Sequence, residues 1–153
     1  MTTIDRLLPR QIDNSYDGRK AALWILGAYL ALKLVMSVNM IANGATVAQN
    51  ADGIPLDRFS PAAVREVLML FALVALGQLA LVAVGLVALL RYRAMVPLLF
   101  ALLIAESVVR RFVVGAFAVE RSAAGGIGTI INLALIGALI LGLALSLWPR
   151  PAR

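Results

Sequence analysis

The sequence predicts an all-α, four-helix transmembrane bundle with both termini cytoplasmic. Three observations carry that prediction. The first is composition: the 153 residues are 62% hydrophobic and 14% charged, whereas a soluble domain is about half apolar and about a quarter charged. The second is four long apolar runs, at 21–42, 64–90, 95–118 and 126–148. Each supplies the roughly 20 residues that about 30 Å of hydrocarbon requires. The third is the placement of Lys and Arg. Arg6, Arg10, Arg19, Lys20, Arg91, Arg93, Arg150 and Arg153 fall on one side of the alternating runs, and Arg58, Arg65 and Arg121 on the other. The richer side is the cytoplasmic one by the positive-inside rule.

The elements follow in order. Residues 1–20, MTTIDRLLPRQIDNSYDGRK, mix both charges with a few apolar side chains and read as a cytoplasmic segment on the membrane surface. They lack the character of a cleaved signal, because Lys33 interrupts the apolar run that follows and the pattern resumes to Ala42. Arg19 and Lys20 are placed to reach anionic headgroups, and Asp17 to cap the first spanning helix. The connection 43–63 carries Asp-Gly and Ile-Pro turn signals. Ser60 followed by Pro61 marks a helix start, a side-chain oxygen cap and then Pro in the first turn. Asp52 and Asp57 lack calcium-loop spacing and read as a solvated turn. The short link RYRA makes the second and third runs an antiparallel hairpin, with Pro97 in the first turn of the third helix. AAGGIG at 123–128 reads as the tight outer turn before the fourth run, and residues 149–153 as a cytoplasmic tail.

Tyr16, Trp24, Tyr92 and Trp148 fall near the inner interface, where amphipathic rings prefer to sit. Ala134, Ala138, Gly142 and Ser146 form a small-residue stripe on the fourth run, and Gly77 and Gly85 a matching pair on the second. Such stripes let helices approach closely.

Several function classes drop out. With no Cys and no His, the usual nucleophiles, general bases, zinc ligands and haem ligands are missing, and no metal or other cofactor is expected. Ser107 stands outside any Gly-x-Ser-x-Gly turn, so the chain reads as a non-enzyme. The net charge of +6 is spread over helix ends without a basic and aromatic face, so nucleic acid is not an expected partner.

What remains is a set of polar side chains inside the apolar runs. At 1.5 Å per residue, Lys33, Gln78 and Glu106 each stand roughly 18 Å above the cytoplasmic helix ends, with Asn132 and Arg110 at roughly 24 Å and Asn39 at roughly 27 Å. A charge facing lipid at mid-bilayer costs about 2.5–3.5 kcal/mol, so these groups are expected to turn inward and pair. Glu106 and Arg110, four residues apart, share a helix face. Lys33 is the natural interhelical partner of Glu106, Ser37 extends the network, and Arg111 reaches outward to headgroups or to Glu66. Three roles fit: a buried clamp fixing helix register, a proton or ion path, or contacts with another membrane protein.

The stretches IDNSYDGRKAALW, NADGIPLD, RYRAMVPLLFALLIAESVVRR and GLALSLW together resemble a group of small bacterial inner-membrane proteins of uncharacterised function. The third segment, Glu106 followed by Arg110 and Arg111, is the most specific. The resemblance covers most of the chain and implies a four-helix protein of a Gram-negative inner membrane. It supplies no catalytic residues. Two functional expectations follow. One is a non-enzymatic accessory, assembly or self-associating membrane protein, its partners the lipid bilayer and either a second copy or another membrane protein. The other is a small oligomeric transporter or channel with Glu106 as its proton- or cation-sensitive group.

Overall fold

A computed structural model describes residues 3–117 and 126–149. Among them are six α-helices and no strand: α1 (Thr3–Leu7), α2 (Lys20–Ala42), α3 (Gly44–Asn50), α4 (Pro61–Arg91), α5 (Val96–Ala116) and α6 (Gly126–Leu147). Of the expected outer turn at 123–128, residues 123–125 lie outside the described residues and 126–128 already belong to α6; the tail beyond Pro149 also lies outside them.

Three helices, α2, α4 and α6, are long and apolar enough to cross a membrane. The 21-residue α5 matches them in length. It differs in charge, since any 18-residue stretch of it contains Glu106, Arg110 and Arg111. The start of α4 is the one its sequence specifies: Ala63 N–H donates to Ser60 Oγ at 3.2 Å, with Pro61 in the first turn. Asp17 does not cap α2. The N-cap is Arg19, with no side-chain cap bond, and Asp17 is exposed. The connection 43–63 is more ordered than its turn signals imply. It holds α3 and a short 3₁₀ turn at Leu56–Arg58, because Ala48 and Leu56 are buried and tie it down. Gly53, at φ 68°, supplies the left-handed residue that the bend between them needs.

α2 packs along α4 on one side and along α6 on the other, and α6 packs along α5. Leu30 meets Gly85 and Ser37 meets Gln78, so α2 and α4 run antiparallel. The RYRA link joins α4 to α5, yet the two helices barely touch. They are neighbours in sequence without being packing partners, and a seam lies open between them over α2.

The core fills the half of the bundle near residues 20, 91, 96 and 147. It is built from Leu26 and Leu30 of α2, Val82 and Ala88 of α4, Leu99, Phe100 and Leu103 of α5, and Leu139 of α6. Glycines set the spacing there. A Cβ on Gly85 would stand 2.7 Å from Leu30, and one on Gly142 would overlap the Phe100 ring. Gly77 faces open space, so Gly85 alone of that pair is a packing contact. Toward the other end the helices present apolar side chains outward, with Val109, Phe112, Phe117, Ile130 and Leu133 all exposed.

The N-terminal segment closes the end of the bundle where the core lies. Arg6 Nη1 donates to the Leu147 carbonyl at 3.0 Å and Arg19 N–H to the Leu145 carbonyl at 3.1 Å. These are carbonyls of the last turn of α6, which have no acceptor role left within the helix. Ala94 N–H donates to the Asp13 carbonyl at 3.3 Å, and the Arg19 guanidinium lies 5.0 Å from the Trp148 ring centre. Gly18 is buried in the joint, where a Cβ would collide with the Ser146 carbonyl oxygen and the Tyr16 ring. Gly18→Ala is therefore expected to unseat the segment while leaving α2 intact. Limited proteolysis should show cleavage between residues 3 and 17 at least several-fold faster than in the wild type, with the 20–147 fragment unchanged.

Candidate functional site

The polar cluster sits at the α4–α5 seam. α2 supplies Tyr29, Lys33 and Ser37, α4 supplies Gln78, and α5 supplies Glu106, Ser107 and Arg110. Helical spacing explains the grouping. Tyr29, Lys33 and Ser37 recur every four residues on one face of α2, and Glu106 and Arg110 do the same on α5.

Arg110 Nη2 donates to both carboxylate oxygens of Glu106, at 2.5 and 2.7 Å. Ser107 Oγ stands 3.5 Å from Glu106 Oε2. The Gln78 amide is assigned with its oxygen toward Arg110, where it accepts from Nη1 at 2.5 Å and Nη2 at 3.2 Å. That orientation puts the amide nitrogen 3.4 Å from Ser37 Oγ. A chain of contacts thus crosses from α5 to α4 to α2: Glu106, Arg110, Gln78, Ser37. The side chains of Arg110 and Glu106 are 33% and 34% exposed, through the seam.

Lys33 behaves differently. It is 6% exposed, and its ammonium lies 5.8 Å from the centre of the Tyr29 ring, a cation–π contact. The expected ion pair between Lys33 and Glu106 does not form among the described residues. Arg110, on the same helix as Glu106, takes the carboxylate instead. The crevice lined by these side chains has a volume of about 10 Å³, room for about one water.

Four of the residues singled out from the sequence stand outside this cluster. Asn132 is exposed and donates to the Gly128 carbonyl at 2.9 Å, one turn back on its own helix. Asn39 is exposed and accepts from Asn43 Nδ2 at 2.8 Å. Each satisfies itself locally, which a short amide side chain does readily. Glu66 and Arg111 are exposed, and no ion pair joins them among the described residues. Counting residues up each helix gives depth but not azimuth, and azimuth separates Lys33, Gln78, Glu106 and Arg110 from the others. Tyr29 escaped the sequence reading, although its position four residues before Lys33 is the signal that places it there.

A second crevice, of about 510 Å³, lies at the closed end, between the N-terminal segment and the ends of α5 and α6. Its charged lining comes from Asp5, Arg6, Arg10, Asp13 and Asp17. Ser15 Oγ and N–H both donate to Asp13 Oδ1 and hold that carboxyl below the usual carboxylate range. Arg10 Nε stands 3.6 Å from Asp5. Among the described residues no group of three or more acidic side chains converges on a metal position.

No protein-family model, curated protein or solved structure matches the chain. The functional reading therefore rests on its own residues.

Proposed function

We propose that this chain is a multi-pass protein of a bacterial inner membrane, crossing it four times with both termini in the cytoplasm. It acts there as a non-enzymatic accessory, assembly or self-associating component. The observation that carries this reading is the commitment of Glu106 and Arg110 to each other at the seam. Glu106, the one mid-helix carboxylate among the described residues, is held by Arg110, and Arg110 is held in turn by Gln78. Groups so engaged hold helices in register.

The same pairing supports α5 as the fourth span. Two of its three charges neutralise each other, which lowers the insertion cost that sets α5 apart. Arg111, five residues from the helix end, is close enough to the outer interface to snorkel. At the other end, Trp24 and Trp148 are exposed, and so are Ile4, Leu8 and Ile12 of the N-terminal segment. Rings and aliphatic side chains in that position suit the inner headgroup boundary, with the lipid bilayer as the partner they address.

Transport through Glu106 is the competing reading. A crevice with room for about one water gives a substrate no path within a single copy, so such a path would have to run between copies.

Mild detergent extraction from native membranes, followed by mass measurement of the intact complex, tests the proposal. The expected result is a foreign membrane protein in fixed stoichiometry or a stable self-assembly that conducts nothing. A homo-oligomer whose ion flux is lost in Glu106→Gln with assembly unchanged would replace this reading with transport.

A further inference from the structure

The cluster at the seam lacks one negative charge. Lys33 and Arg110 bring two positive charges and Glu106 brings one negative, and Gln78, Ser37, Ser107 and Tyr29 bring none. Arg110 is satisfied. Lys33, at 6% exposure, has a ring beneath it and no carboxylate within ion-pair distance among the described residues. A buried charge is retained where something pairs with it.

We infer that the seam between α4 and α5 is a docking groove for a transmembrane helix of a different protein, which brings a mid-span Asp or Glu to Lys33. The inference rests on the accessory reading and names the chemistry of the contact.

Depth and direction favour a helix-borne carboxylate over a lipid headgroup. Lys33 reaches back one turn, over Tyr29, and Arg110 reaches back one turn to Glu106. Both therefore point toward the N-terminal ends of α2 and α5, away from the nearer bundle end. Tyr29 is nine residues above Lys20 and Glu106 ten above Val96, so the charges sit roughly 14–15 Å in, at the centre of a span of about 30 Å. Headgroups do not reach that depth, and snorkelling side chains would have pointed the other way. A second copy of this chain is also a poor occupant. Each copy adds another Lys33 and Arg110 with its single Glu106, so the positive excess doubles. The loose contact between α4 and α5 lets a helix lie along the outside of the seam, with only its carboxylate entering the crevice in place of water: Gln78 and Leu81 form one wall, Leu103, Glu106 and Arg110 the other, and Lys33 the floor.

The test places a photoreactive phenylalanine analogue at Leu81, which lines the groove and is 43% exposed. A control analogue goes at Leu76, about 140° around α4 and 58% exposed. Full-length protein is irradiated in native membranes and the crosslinked peptides are sequenced. The inference expects Leu81 to capture one foreign transmembrane segment with an Asp or Glu at mid-span. Lys33→Met should cut that yield at least tenfold while the bundle unfolds no more easily than the wild type. Lys33→Glu paired with a Lys at the captured carboxylate should restore it. Capture at Leu81 of lipid alone, of a second copy, or of a segment without a mid-span carboxylate would overturn the inference. If foreign protein were then captured at Leu76 or elsewhere, the accessory reading would survive its loss. Foreign protein captured at no position would remove the inference and the accessory role together, leaving only self-association.

Discussion

Glu106→Ala is expected to destabilise the folded bundle by about 2–3 kcal/mol, below most of the range for breaking a fully buried pair because this one is a third exposed through the seam. The physical cause is what the substitution leaves behind. Arg110 keeps its contact with Gln78 but loses the carboxylate that accepts from Nη2 at 2.5 and 2.7 Å. Lys33 remains in the same crevice, so two like charges then share a small apolar space. Arg110→Gln should cost less, about 1–2 kcal/mol, because Lys33 stays close enough to offset the orphaned carboxylate. The double variant Glu106→Gln with Arg110→Gln removes both charges and keeps the shape, so its cost should be about 1 kcal/mol or less and far below the sum of the single changes. Unfolding by added SDS in mixed micelles, read by pulse proteolysis, gives all three values. A double variant as unstable as Glu106→Ala would mean that unpaired charge is not the source of the loss.

Gly142→Leu is expected to separate α5 from α6, at a cost of about 3 kcal/mol. Phe100 is fully buried, and its ring edge lies where any side chain on residue 142 would begin. Within a membrane the helices gain nothing by hiding apolar surface from water, so their association depends on this close packing. Even Gly142→Ala should cost about 1–2 kcal/mol. The cause can be checked by shrinking the ring: Phe100→Leu combined with Gly142→Ala should be more stable than Phe100→Leu and Gly142→Ala would be if their costs added. Strict additivity of the two changes would show that they do not meet. The same SDS unfolding experiment reports this, and thiol crosslinking between α5 and α6 would show the helices parting.

Much of this architecture is legible in the chain itself. The four apolar runs coincide with α2, α4, α5 and α6, because a helix bonds its backbone within its own segment and a run of that length and composition marks one. Ser60 and Pro61 announce the start of α4 through local chemistry. The co-location of Lys33, Gln78 and Glu106 is visible as equal depth along the helices, and Arg110 joins them through its place four residues beyond Glu106 on the same face. What the sequence does not carry is the angle at which each helix presents its side chains. Asn132 matches Arg110 in depth and still faces outward. Nor does it carry which helices pack. A four-residue link suggests that α4 and α5 are neighbours, but Phe100 seats on Gly142 and Leu30 on Gly85, so α6 and α2 take those faces instead. The N-terminal segment shows the same limit. Its composition announces an interfacial piece, and only the contacts of Arg6, Asp13 and Gly18 reveal that it closes the bundle end.

The central claim is that α5 crosses the membrane with Glu106 and Arg110 paired inside it. The chain has no cysteine of its own, so single cysteines introduced at Asn50, Ala94 and Phe117 can each be probed with a membrane-impermeant maleimide on spheroplasts. A crossing α5 puts Asn50 and Phe117 on the outside and Ala94 within, so the first two should label at once and Ala94 only after permeabilisation. Labelling of Asn50 from outside with Phe117 protected like Ala94 would keep α5 on the cytoplasmic face and contradict the four-span bundle.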